Sequence, residues 1–264
     1  MRRTMILFGA LAGLVLAAPR LALAQSEAQG LVDRATLTVQ EMLTEGDANA
    51  VRDVNRLLRQ ARAVMVCPRL FRAGFIFGGQ GGDCVLTARD GAGSWSSPAF
   101  YTIGSASFGF QIGIQDAQVM MLILTDKGLG AVMDSQVKLG ADASVALATI
   151  GGGIAGATTT AVGADIVSYA RTRGLYAGIS LEGSLLSSRS DFNQAYYGRP
   201  AGSRQIVLEM QAHNPAADPL RAALMRFGSG GGMGQGTSPM AVGPGAMPPM
   251  QPAPSGSVTR ETLR

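Results

Sequence analysis

The chain has 264 residues, 47% of them hydrophobic and 15% charged, with 36 glycines. That length fits one globular domain with appendages, and the composition excludes a wholly disordered chain. Removing Arg2, Arg3 and Arg20, which sit in an acid-free leading segment, leaves 19 basic against 18 acidic residues. The net charge then falls from +4 to +1, so attraction to nucleic acid through global charge is not expected.

Residues 1–24 read as an export signal. Arg2 and Arg3 form a positive start, Met5 to Ala18 an apolar run, and Ala22-Leu23-Ala24 offers small residues where a signal peptidase cuts, before Gln25. The apolar run is too short, and too soon broken by Pro19-Arg20, for a membrane anchor. The arginine pair leaves the general and twin-arginine routes both open. A periplasmic or secreted protein, peripherally associated with a membrane, is the expectation.

Ser26 to Thr44 carries Leu31, Ala35, Val39, Met42 and Leu43 at a helical period. Asp47 is placed to cap a second helix running to about Arg62, with Val51, Val54, Leu58 and Ala61 on its apolar face. Arg52, Arg56, Arg59 and Arg62 form a stripe on another face. After Pro68 the pattern changes to short strands, Val64 to Val66, Gly74 to Phe77 and Cys84 to Thr87, with Arg89-Asp90-Gly91 as a turn.

Ser107 to Gln115 alternates without a break and predicts one half-buried strand. Val119 to Leu124 predicts a fully buried strand, and Asp126 is placed to cap a short helix to about Asp134. Further strands are expected at Asp165 to Arg171 and Leu175 to Leu181. The uncharged Gly, Pro, Met and Ser run from Gly228 to Ser257 predicts a disordered tail over residues 228–264. The fold expected for residues 25–227 is therefore α+β: a curled, mostly antiparallel sheet or barrel with two amino-terminal helices and a helical end.

Signals for catalysis are weak. Gly151, Gly153 and Gly156 have dinucleotide-fingerprint spacing, but Thr158-Thr159-Thr160 follows where a helix should open. There is no Gly-x-Ser-x-Gly elbow, and the one histidine, His213, lies in a polar run. Two cysteines and one histidine are too few ligands for a zinc site, so no metal or cofactor is expected. In an oxidising compartment Cys67 and Cys84 are expected to form a disulfide across neighbouring strands, with two buried thiols as the alternative. A non-enzymatic role is the expectation.

The arginines say more. Only Lys127 and Lys138 among the 22 basic residues are lysines, and six arginines (Arg52, Arg56, Arg59, Arg62, Arg69 and Arg72) crowd one segment against the single acid Asp53. Guanidinium pairs its donors with phosphate oxygens, and a basic amphipathic helix beside apolar residues suits an anionic lipid surface. The plain alternative is a solvated helix face.

Two stretches carry a family resemblance. The first is Arg72-Ala73-Gly74-Phe75, the glycine run from Gly78 to Gly82, and Ser94-Trp95-Ser96-Ser97-Pro98. The second runs from Arg173 to Ser184 and continues through Arg189-Ser190-Asp191 and Tyr196-Tyr197-Gly198. Together they resemble the SYLF domain over about residues 35–210. The resemblance implies phosphoinositide-like headgroup and membrane binding, partly through an amino-terminal amphipathic helix, which the Arg52 to Arg62 segment matches in place.

Some fungal relatives also bind actin, and eukaryotic relatives carry an SH3 domain. This chain shows an export signal and no SH3 segment, so actin is not the expected ligand. An anionic phospholipid membrane is, with an envelope protein partner or an apolar ligand in a barrel cavity as alternatives. Glu182, Arg189 and Asp191 form a possible polar site, with Glu182 and Arg189 as an internal pair.

Overall fold

The computed structural model describes residues 2–74, 77–108, 113–134, 136–139, 146–151, 163–173, 181 and 183–229. The expected disordered tail from residue 230 onward and nearly all of the expected strand from Leu175 to Leu181 lie outside the described residues, while Gly228, the expected start of that tail, ends a helix.

Helix α1 spans Arg2–Thr44. Its Ala28, Leu31, Val32, Ala35, Val39, Met42 and Leu43, spaced three or four apart, are all buried in one stripe. Gly46, two residues beyond its end, takes the left-handed conformation that lets the chain turn away. Asp47 then caps helix α2 (Ala48–Gln60), its carboxylate accepting the backbone N–H groups of Asn49 (3.0 Å) and Ala50 (2.9 Å). Both helices end or begin where the sequence places them.

The strands are longer than the sequence suggests. β1 (Ala63–Gly74) and β2 (Phe77–Ala88) form one antiparallel hairpin, so the three short strands expected here are two, with the glycine run inside β2. The single strand expected from Ser107 to Gln115 is instead divided. Ser107 and Phe108 close β3 (Ala99–Phe108), and Gly113 to Gln115 open β4 (Gly113–Ile123). Alternation reports which face a side chain takes, not the direction of the chain, and both flanks of a reversal can keep the same alternation.

β3 lies beside β2 and β4 beside β1, so this second pair straddles the first hairpin. With α3 (Asp126–Met133), β5 (Gln136–Lys138), β6 (Leu147–Gly151), β7 (Ile166–Arg173) and β8 (Leu185–Ser188), the sheet has the order β5-β8-β3-β2-β1-β4-β7-β6. Every pairing is antiparallel except β6 with β7. The cap of α3 is Thr125, whose hydroxyl accepts the Gly128 N–H, rather than Asp126. Thr125 in turn donates to Asp165, which also accepts the Ala146 N–H, and these bonds hold the Asp165 carboxyl below the ordinary range.

The sheet separates two cores. Val64, Val66, Val85, Phe100, Met120, Leu122, Val167 and Tyr169 face α1, α2, α4 (Ser190–Tyr197) and α6 (Asp218–Gly228). Met65, Cys67, Cys84, Leu86, Tyr101, Ile103, Val119 and Met121 face the opposite side, with Leu129 and Val132 of α3 and Ile206 and Val207 of α5 (Ser203–Val207). Each Val, Leu, Ile, Phe or Met side chain among them contributes roughly 1.5–3 kcal/mol when buried fully.

Trp95, from the Ser-Trp-Ser motif, is buried beneath the guanidinium of Arg89, which lies 4.5 Å from its ring centre. Arg89 also donates to the Arg59 carbonyl (2.9 Å) and to those of Leu58 and Gly228 (3.4 Å each), so one cation serves the carboxyl ends of α2 and α6. Burial lowers its proton affinity.

One irregularity shapes the centre of the sheet. Between Val66 and Phe71, β1 has one more residue than β2 has between Val85 and Gly81, and a matching shift occurs against β4 between Cys67 and Leu70. This is a β-bulge, and it accounts for Pro68 inside a central strand, where a regular ladder would need its missing N–H. Cys67 and Cys84 are bonded beside it, with Cα atoms 4.1 Å apart, as the sequence leads one to expect of an oxidised pair.

Candidate functional site

The six arginines read from the sequence as phosphate ligands fall into two groups. Arg52, Arg56, Arg59 and Arg62 stand exposed on or just beyond α2, at the start of β1. Arg69 and Arg72 lie toward its other end. Six residues of strand lie between Arg62 and Arg69 and amount to roughly 20 Å, so the two groups do not form one patch.

On α2, Arg52 bonds the side-chain oxygen of Asn49, and Arg56 pairs with Asp53 at 2.7 Å, one turn away. Arg59 extends to solvent while its carbonyl accepts from Arg89. Arg62 is engaged differently: its Nε and Nη2 grip both oxygens of Asp126 at 2.9 and 2.8 Å, and the pair holds the Asp126 carboxyl below its ordinary range.

The apolar face of α2 is occupied. Ala50, Val54, Leu57 and Leu58 are buried in the core shared with α1 and α6. The expectation that apolar side chains next to the stripe enter a lipid interface is therefore corrected for this helix: its hydrophobic surface already stabilises the fold. The large exposed apolar side chains are found elsewhere, among them Leu37 of α1, Phe71 of β1 and Ile114 of β4.

At the bulge, Arg69 grips Asp116 through Nε (2.8 Å) and Nη2 (3.1 Å), and its guanidinium lies 5.7 Å from the Phe71 ring centre. Two clefts meet there. One, of about 670 Å³, is lined by Leu31, Arg34, Arg69, Phe71 and Asp83. The other, of about 330 Å³, is lined by Arg34, Arg69, Asp116 and Gln118. Arg34 is shared by both and makes no hydrogen bond or ion pair among the described residues. The sequence offered no signal for it, since it stands alone on α1 without basic neighbours.

The expected polar site is reordered. Glu182 lies outside the described residues. Arg189 binds Asp191 (2.8 Å) and Asp83 (2.9 Å), and packs over the Phe192 ring at 3.7 Å. Arg189 pulls the Asp191 carboxyl below its usual range. The cluster ties α4 to β2 and reads as structural. Ser97 Oγ lies 3.2 Å from His213 Nδ1, but it also accepts the Asn214 N–H, and among the described residues no carboxylate orients the imidazole. That contact fastens the segment before α6 to the approach to β3. Among the described residues no cluster of His, Cys, Asp and Glu could hold a metal ion.

A curled sheet braced on one face by long amino-terminal helices and on the other by short ones is the setting in which the comparisons with known proteins are to be judged. The family described as "Ysc84: Las17-binding protein actin regulator" matches residues 104–227. Protein YSC84 of Saccharomyces cerevisiae is 28% identical over 167 residues, covering 62% of this chain and 36% of the relative. SH3 domain-containing YSC84-like protein 1 of Rattus norvegicus is 33% identical over 159 residues, covering 60% of this chain and 47% of the relative. LAS seventeen-binding protein 3 of Saccharomyces cerevisiae is 28% identical over 167 residues, 62% of this chain and 36% of its own. The chain thus spans less than half the length of these relatives.

Residues 104–227 thus carry the match to the Ysc84, or SYLF, family that the sequence resemblance leads one to expect. The family description and the names of the relatives point to actin regulation and a Las17-type partner, which overturns the expectation that actin is an unlikely ligand. That expectation rested on reading residues 1–24 as a leader and on the lack of an SH3-like stretch in the sequence, and neither reading bears on the surface of the matched region.

Proposed function

We propose that the chain is a non-catalytic module that binds an anionic phospholipid surface at an envelope membrane. The observation that carries this reading is the outward row of Arg52, Arg56 and Arg59 on α2, with only Asp53 to offset it and the opposite face fixed in the core. A helix held in this way presents cations on a rigid support, and each contributes about 1 kcal/mol near an anionic bilayer. Export with cleavage before Gln25 is part of the reading. From Leu23 onward the first buried residue is Ala28, so removal of the leader would leave every described core position in place.

Flotation of the protein with phosphatidylglycerol or neutral phosphatidylcholine vesicles, at low and high salt, tests it. Binding to the anionic vesicles should weaken with salt, and Arg52→Glu/Arg56→Glu/Arg59→Glu should lower it at least about tenfold. Equal affinity for neutral vesicles would overturn it.

A second reading is favoured by the family description: a partner protein of the actin-regulatory kind docks on the domain. Co-sedimentation with filamentous actin, run beside the vesicle assay, separates the two, since a protein contact requires no lipid.

A further inference from the structure

The bulge in β1 does more than admit a proline. Cys67 and Leu70 both enter the core opposite α1, three positions apart rather than two or four. The extra residue therefore turns Arg69 and Phe71 toward the α1 side, where they line a cleft together with Leu31 and Arg34. The disulfide holds β1 to β2 at the same level. Gly82 lets the two backbones approach: a Cβ there would lie 2.2 Å from the Arg69 carbonyl oxygen.

The cleft is lined by two arginines, Arg34 and Arg69, and two carboxylates, Asp83 and Asp116, so pairing rather than net charge distinguishes it. Its two carboxylates already have partners, Asp116 with Arg69 and Asp83 with Arg189. Arg34 has none among the described residues, and the two bonds of Arg69 to Asp116 leave three of its five N–H donors to spare. A concave site with an unpaired guanidinium and a second one fixed beside it suits a phosphate. Beside it, Phe71 is 40% exposed and Ile114 is 69% exposed. Phe71 pairs with Asp116 and Ala73 with Ile114, which makes Phe71 and Ile114 diagonal neighbours on adjacent strands.

We propose that this cleft seats the phosphate of a membrane lipid headgroup between Arg34 and Arg69, while Phe71 and Ile114 enter the adjoining bilayer surface. The inference rests on the lipid-binding reading above but assigns it a second site, at the opposite end of β1 from α2. The apolar pair is what selects a lipid over free phosphate, since a soluble anion gains nothing from it.

Flotation of the full chain with phosphatidylglycerol-containing vesicles tests the assignment. Arg34→Gln, which breaks no internal bond, should weaken binding about fivefold, and should do so again in the Arg52→Glu/Arg56→Glu/Arg59→Glu background. The same loss of charge at Arg204, on α5 across the sheet, should leave binding unchanged. Phe71→Ser/Ile114→Ser should weaken vesicle binding by a similar factor. If the parent chain binds and Arg34→Gln binds equally well, the cleft assignment falls while the α2 reading stands. If the parent chain does not bind, both fall. If the Phe71→Ser/Ile114→Ser variant keeps full vesicle binding and Arg34→Gln abolishes binding of inorganic phosphate measured by calorimetry, the ligand is the soluble anion and the membrane assignment is overturned.

Discussion

The two ends of β1 present arginines by different means. At the α2 end, Arg52, Arg56 and Arg59 stand on a convex helical surface, and their contacts are local, to Asn49 and Asp53 within one turn or to solvent. At the bulge end, Arg69 is clamped to Asp116, 47 positions away, and faces Arg34 across a cleft. A convex row interacts with a charged surface at long range and yields to salt. A concave pair holds one group at a time and depends on the backbone that shapes it. Charge alone is thus a poor guide to function here, and the support beneath each guanidinium matters as much.

That contrast can be broken by disturbing one end at a time. The largest effect is expected from Cys67→Ser/Cys84→Ser. Opening a loop of sequence separation 17 should cost about 3 kcal/mol, seen as a lower midpoint in urea. Hydrogen exchange should rise at the bulge while the amides of α2 keep their protection; a uniform rise would make the two ends one cooperative unit.

Gly82→Ala should cost about 2 kcal/mol, because the added methyl meets backbone rather than a movable side chain. It should also weaken the effect of Arg34 on vesicle binding, and an unchanged effect would free the cleft from its dependence on the bulge. Asp47→Ala should cost about 1 kcal/mol through loss of the α2 cap. Its influence on binding should be confined to the salt-sensitive part carried by the α2 row.

Local rules recovered much of this molecule. The helix ends at Thr44 and the Asp47 cap were legible because a cap is a contact between near neighbours. So was the buried run from Val119 to Ile123, since no alternation survives when both faces of a strand are covered. The split of Ser107 to Gln115 between β3 and β4 was hidden because both flanks keep the same alternation. The bulge was hidden too, since one extra residue in a pairing leaves no mark until the partner strands are known.

The sequence by itself determined that six arginines crowd one segment, that two cysteines were available to pair, and that an apolar stripe would bury one face of each amino-terminal helix. Only the tertiary structure decided which arginines remain available. Arg62 is claimed by Asp126, 64 positions away, Arg69 is half claimed by Asp116, and Arg34, which no spacing rule marks, stands between two clefts without a partner among the described residues. The reason is physical: helical and strand periods arise from bonds between neighbours, whereas the field at a guanidinium is set by whichever carboxylates the folded chain brings within a few ångströms.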